Sequence, residues 1–214
     1  MKKNIIKAIE ENKIIVIVRG VARENLIPLA KAMYDGGIRL IECTFDSTGT
    51  VSDEYTGENI RMLAEYFDGK ITIGAGTVIT EKQVEITKAA GGRFIISPNT
   101  NEAVIKKTRE LGLVSIPGAL TPTEVVAAHT FGADFVKVFP INYMGEKYIK
   151  DLKAPLTHIK MLAVGGVTAE NIAGFLKSGA EGVGIGSGIV DKKMIEEGRF
   201  DEIEALAKSF TEKL

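Results

Sequence analysis

Two ionisable residues of this sequence lie inside apolar runs. Lys137 sits in Phe135-Val136-Lys137-Val138-Phe139-Pro140, and Glu42 is flanked by Leu40, Ile41 and Cys43. An amine in such a run loses hydration, which disfavours its charged form. A neutral amine attacks a ketone carbonyl and forms an imine, so Lys137 reads as a Schiff-base nucleophile. The competing reading is a lysine that snorkels to water or pairs with a neighbouring acid. If Glu42 converges on the same pocket, it supplies the proton shuttle that carbinolamine dehydration and carbon-acid chemistry need. Its competing role is a buried ion pair of structural value only.

A third signal is a set of glycines near the end of the chain. Gly165-Gly166 precedes a helix start near Thr168. Gly184, Gly186 and Ser187 lead into residues 188–194, which read as a short extra helix. Backbone N–H groups of such loops bind phosphate without a basic side chain. The alternative is that these glycines only make tight turns. Thr77, after Gly74-Ala75-Gly76, is the hydroxyl that close backbone approach would bring to a ligand. No metal site is expected, because His129, His158 and Cys43 share no ligand spacing. Cys43 reads as a small strand residue.

These residues need a scaffold, and the sequence repeats one. Short β-branched runs at residues 14–18, 38–42, 71–74, 94–97, 113–116, 135–138, 161–164 and 182–185 alternate with amphipathic helical stretches. Each run is apolar and bounded by Gly, Pro or polar residues, as buried parallel strands are. Thr80, Thr100 and Thr121 stand where helices start, Thr121 before Pro122. Glycines at 36–37, 91–92, 112, 132 and 179 stand where helices end. Eight strand–helix units without a linker predict one α/β domain over residues 1–214, a (β/α)8 TIM barrel with an N-terminal helix. The runner-up is a doubly wound open sheet. In a barrel, chemistry sits at the C-terminal strand ends. Those ends carry Arg19, Glu42, Asp46, Thr77, Pro98, Lys137, Gly165, Gly166, Gly186 and Ser187.

Composition narrows the setting. A net charge of −1 with interspersed signs gives no basic stripe for nucleic acid. No apolar run reaches membrane-spanning length. Residues 1–12 lack the apolar core and cleavage site of a secretory signal. One cysteine fits a reducing compartment. The cytoplasm is the expected location.

The motifs Val16-Ile17-Val18-Arg19, Ile41-Glu42-Cys43-Thr44, Gly74-Ala75-Gly76-Thr77, Ile96-Ser97-Pro98-Asn99, Ile116-Pro117-Gly118, Val136-Lys137-Val138-Phe139-Pro140, Val164-Gly165-Gly166-Val167 and Gly184-Ile185-Gly186-Ser187 occur in this order. Together they resemble the class I 2-keto-3-deoxy-6-phosphogluconate / 4-hydroxy-2-oxoglutarate aldolase family, which includes a 6-phosphogalactonate branch. The resemblance implies that Lys137 is the Schiff-base lysine and Glu42 the general acid/base. It implies that Thr77 binds the pyruvyl carboxylate, and that Gly166, Gly186 and Ser187 cradle phosphate beside Gly165. It further implies a homotrimer without metal or other cofactor, acting on a 2-keto-3-deoxy sugar acid to give pyruvate and an aldehyde such as glyceraldehyde 3-phosphate. Asp46 departs from the pattern. The phosphogluconate branch carries arginine there and the phosphogalactonate branch a polar uncharged residue. A second carboxylate beside the pyruvyl carboxylate is unfavourable. Arg19 is therefore expected to supply the positive charge, with Asp46 and Pro98 facing the substrate tail.

Two other functions fit parts of this pattern. A phosphosugar isomerase or epimerase shares the phosphate loops but has no use for Lys137 in an apolar strand. A non-catalytic phosphosugar-binding paralogue is suggested by Asp46 alone.

Overall fold

Alternation along each short strand decides which side chains fill a barrel and which face its helices. The computed structural model describes residues 2–214. Helix α1 (Lys2–Asn12) leads into β1 (Ile14–Val18), α2 (Arg23–Asp35), β2 (Leu40–Thr44), α3 (Asp53–Phe67) and β3 (Thr72–Gly76). Then come α4 (Glu81–Ala89), β4 (Phe94–Ile96), α5 (Glu102–Glu110), β5 (Val114–Ile116), β6 (Gly118–Ala119), α6 (Pro122–Phe131) and β7 (Val136–Val138). The chain ends with α7 (Glu146–Lys153), β8 (Met161–Val164), α8 (Ile172–Lys177), β9 (Gly182–Ile185), α9 (Lys192–Glu196) and α10 (Phe200–Thr211).

The strands are parallel, in the order β5-β4-β3-β2-β1-β9-β8-β7-β6. Segments β5 and β6 are two halves of the fifth stave, parted at Pro117. Proline has no N–H to give a ladder, but its carbonyl still accepts. Phe135, Lys137 and Phe139 donate their N–H groups to the carbonyls of Ser115, Pro117 and Ala119 at 3.2, 2.8 and 3.0 Å. On the other side, Ser97 N–H reaches Ile116 O at 3.2 Å. The ring therefore closes across Pro117, giving the eight-stave barrel that the sequence period predicts and not the open sheet.

One residue in two points inward. Ile15, Leu40, Phe94, Ile96, Val114, Ile116, Phe135 and Leu162 form an interior cluster with Ile9 of α1. Helix α1 thus plugs the end of the barrel where the strands begin. Ion pairs Lys2–Asp134 (2.8 Å) and Lys160–Glu10 (2.6 Å) tie it down. Ile9 is fully buried. Ile9→Ala should lower unfolding free energy by about 2–5 kcal/mol, the usual cost of an aliphatic truncation in a packed core. Chemical denaturation measures it, and a change below about 0.5 kcal/mol would show that α1 is not a plug.

Several boundaries differ from the sequence reading. Strands two and three run on to Thr44 and Gly76, because Glu42 pairs with Gly74 and Thr44 with Gly76 in one ladder. The cap of α5 is Asn101, whose side chain accepts from the N–H groups of Ala103 and Val104. Thr100 instead donates its hydroxyl to Gly118 O at 2.9 Å. The other two helix starts form capping boxes, Thr80 with Gln83 and Thr121 with Glu124.

Candidate active site

The interior face continues upward from the apolar cluster, two residues at a time. Ile15 and Ile17 lead to Arg19, Leu40 to Glu42, and Phe135 to Lys137. Glu42 and Lys137 share a small internal void with Ile17, Ile96, Ile116, Leu162, Val164 and Gly184. Above it opens a cavity of about 910 Å³ at the C-terminal strand ends, lined in part by Arg19, Ser47, Thr77, Pro98, Lys137, Gly165, Gly166, Gly186 and Ser187. Lys137 touches both spaces, and Glu42 lies beneath.

Both ionisable groups are nearly sealed, Glu42 at 1% and Lys137 at 7% exposure. They form no direct salt bridge, and Glu42 Oε2 is buried with no hydrogen-bond partner. The structural ion pair therefore does not form. Burial pushes the Glu42 carboxyl above its ordinary range, against the opposing pull of the Lys137 and Arg19 charges. Burial likewise lowers Lys137. The Glu42 charge opposes that shift, and Arg19 adds to it. Each group is driven towards its neutral form, the state an imine-forming amine and a proton-donating carboxyl need. The Lys137 Nζ also lies 4.7 Å from the centre of the Phe139 ring.

Gly76 leaves the room for Glu42: a Cβ there would collide with the Glu42 carboxylate. The next residue, Thr77, has φ of 58°, unusual for a β-branched side chain. Its hydroxyl accepts from Arg19 Nη2 at 2.9 Å, which joins strands one and three at the cavity wall. Cys43 faces the helices. Burial, helped by the charge of Glu42, pushes its thiol up to about 12, so it stays protonated and inert.

Across the cavity, Gly165 and Gly166 have φ of 107° and 68°. Asn171 holds their loop, donating Nδ2 to Gly166 O at 3.0 Å and accepting from Thr168 N–H at 2.8 Å. Helix α8 begins at Ile172, later than the expected start near Thr168. The short helix after strand eight also starts later than expected. Gly186 O accepts from Ile189 and Val190 N–H in a tight turn, and α9 begins only at Lys192, capped by Asp191.

Asp46 is the main difference from the sequence reading. It is absent from the lining of the large cavity, and its carboxylate is turned into its own loop. It accepts from the N–H groups of Thr48, Thr50 and Val51 and from the Thr48 hydroxyl, at 2.7–3.1 Å. A short acid after a strand satisfies its turn before it reaches a ligand. Ser47 lines the cavity instead. Sequence reasoning also passed over Thr168 and Phe139, which line it too. Phe139 was legible in principle, two residues beyond Lys137 on the same face.

These hydrogen bonds hold the Asp46 carboxyl down, from its ordinary 3.8 to about 2. A depressed pKa contributes order above the unfolded value that is lost as pH falls through the folded one. The 46–51 turn should accordingly stay ordered until the pH approaches about 2. Asp46→Asn should speed amide exchange at Thr48, Thr50 and Val51 at neutral pH. Unchanged protection there would mean that the turn does not depend on the carboxylate.

Among the described residues no group of His, Cys, Asp and Glu side chains is arranged to hold a metal ion, and no helix is long and apolar enough to cross a membrane. Compared with known proteins, the chain matches the family model described as KDPG and KHG aldolase over residues 5–206. It is 32% identical over 200 residues to the Escherichia coli strain K12 protein named 2-dehydro-3-deoxy-6-phosphogalactonate aldolase, covering 93% of this chain and 95% of that one. It is 31% identical to the Treponema pallidum 2-dehydro-3-deoxy-phosphogluconate aldolase, over 95% and 94% of the two chains. Among solved structures it superposes, with a TM-score of 0.86 and 26% identity, on KDPG aldolase from Legionella pneumophila with pyruvate captured as a covalent carbinolamine; the match covers 96% of this chain and 97% of that one.

Proposed function

We propose that this chain, which belongs to the KDPG and KHG aldolase family, cleaves a 2-keto-3-deoxy-6-phospho sugar acid to pyruvate and glyceraldehyde 3-phosphate through a Schiff base on Lys137. The observation that carries the reading is a buried amine beside a buried carboxyl with no salt bridge between them, each shifted towards its neutral form, at the floor of the large cavity. The family is one of aldolases, so neither an isomerase nor a non-catalytic binding protein is the better account.

In this reading the neutral Lys137 amine adds to the C2 carbonyl. Glu42 gives a proton to the carbinolamine hydroxyl, water leaves, and an iminium remains. The C3–C4 bond breaks with its electron pair drawn into the iminium, while the C4 hydroxyl yields its proton to Glu42. The aldehyde departs and an enamine stays on Lys137. Proton return to C3 gives the pyruvyl imine, and water hydrolyses it to pyruvate and the free amine. Arg19 and Thr77 hold the carboxylate, Gly165, Gly166, Gly186 and Ser187 hold the phosphate, and Pro98 with Ser47 contacts the tail. Asp46 acts as the pin of its loop.

Incubation with pyruvate and borohydride tests the central step. One reduced pyruvyl group should appear on the peptide containing Lys137. Labelling elsewhere, or none in protein that turns over, would exclude the mechanism. The family reading also carries a homotrimer, and sedimentation measures the assembly state directly.

A further inference from the structure

The large cavity has a side chamber of about 300 Å³ in which the reading above gives Lys192 no role. It opens beside Gly186 and Ser187 and is bounded by Arg19, Val190, Asp191 and Lys192. Arg19 comes from the interior face of β1, and Lys192 from the first residue of α9. The Lys192 ammonium lies 3.6 Å from where a Cβ on Gly20 would stand, so the side chain reaches back over the residue next to Arg19. Two cations meet at one rim.

Neither has an ion-pair partner among the described residues, and the Arg19 hydrogen bond goes to the neutral hydroxyl of Thr77. Elsewhere on the surface, Lys31, Lys82 and Lys147 are paired with carboxylates. Asp191 borders the chamber too, with one carboxylate oxygen accepting from Met194 N–H at 2.9 Å. Two positive charges against one negative leave a net positive rim. Like charges held together repel, and an anion held by Lys192 relieves that cost. The Ser187 hydroxyl adds a neutral donor on the same side.

We propose that Lys192 is a specificity-determining residue: beside Gly186 and Ser187 it binds the phosphate dianion at the far end of the substrate, while Arg19 keeps the carboxylate, and it selects phosphorylated over unphosphorylated sugar acids. The proposal rests on the aldolase reading and deepens it. A dianion gains more from a cation than a neutral hydroxyl end does. Because Lys192 is exposed, the discrimination falls as salt rises.

The test uses the full chain and two readouts. Inorganic phosphate is titrated into wild type, Lys192→Gln and Lys192→Arg by calorimetry. KM is measured for a 2-keto-3-deoxy-6-phospho acid and its unphosphorylated counterpart. Lys192→Gln should weaken phosphate binding about tenfold and reduce the KM preference for the phosphorylated acid by a similar factor, the scale of one charge-assisted contact. Lys192→Arg should restore most of both. Equal phosphate affinity in wild type and Lys192→Gln, or KM rising equally for the two acids, overturns the proposal. If wild type binds phosphate through Lys192 yet traps no pyruvate with borohydride, the subsite stands and the aldolase reading fails.

Discussion

Lys137→Met should lower kcat for sugar-acid cleavage by on the order of 10⁴-fold or more, the scale seen when a covalent nucleophile is removed. Methionine keeps the length and apolar stem of lysine but cannot form an imine. The environment favours the exchange. Lys137 is nearly sealed, at 7% exposure, and its neighbours along the strand on the interior face, Phe135 and Phe139, are apolar. The buried amine costs desolvation that a thioether does not. The variant should therefore melt no lower than wild type while releasing no pyruvate and taking up no reduced pyruvyl group. Turnover within about tenfold of wild type would contradict the Schiff base. A collapse in melting temperature would mean instead that Lys137 holds the fold.

Glu42→Gln should lower kcat by about 10²-fold or more, the usual range for loss of a general acid–base. Exchange of pyruvate methyl protons should fall with it, because the same group moves the C3 proton. Glu42 enters the cycle as a neutral proton donor, so its ionisation marks the alkaline side of the pH–rate profile. In wild type it should lie above the ordinary carboxylate range, since burial raises the group, and in the variant it should flatten. Stability gives an independent check. A carboxyl whose folded pKa is raised contributes stability below its unfolded pKa and loses it as pH rises through the folded value. At neutral pH the unfolded chain ionises this residue freely and the folded chain resists. Removing the charge should leave the melting temperature at pH 7 unchanged or higher. Loss of a structural ion pair would lower it by removing a partner from a buried charge. Near-normal methyl exchange together with a lower melting temperature would reverse the assignment.

The two most buried groups of the site were legible because they violate a local rule. A lysine and a glutamate inside apolar strands have no bland explanation as surface residues, and the eightfold alternation of strand and helix puts strand ends on one face. The orientation of Asp46 was not legible. Sequence gives its distance along the chain from Glu42, but not the direction of its side chain. That direction is set by N–H groups at Thr48, Thr50 and Val51, which fold back only when the loop closes. The end of strand three was hidden in the same way. Gly76 lies beyond the expected strand end at Gly74 yet sits in the ladder, because the space a side chain would fill is taken by Glu42 from the neighbouring strand.

By itself the sequence determined the period of the barrel and the chemistry that Lys137 and Glu42 support. Which residues point inward stayed open, because a strand buried on both faces reads as a continuous apolar run. Only the tertiary structure decided that Lys137 and Glu42 share a void without pairing and that Thr77 is clasped by Arg19. Only there does Lys192, far along the chain, lean over Gly20 at the same rim. Each of these is a relation between strands or loops that meet only when the ring closes. The distances and the desolvation that set the chemistry arise from that closure, and no single segment contains them.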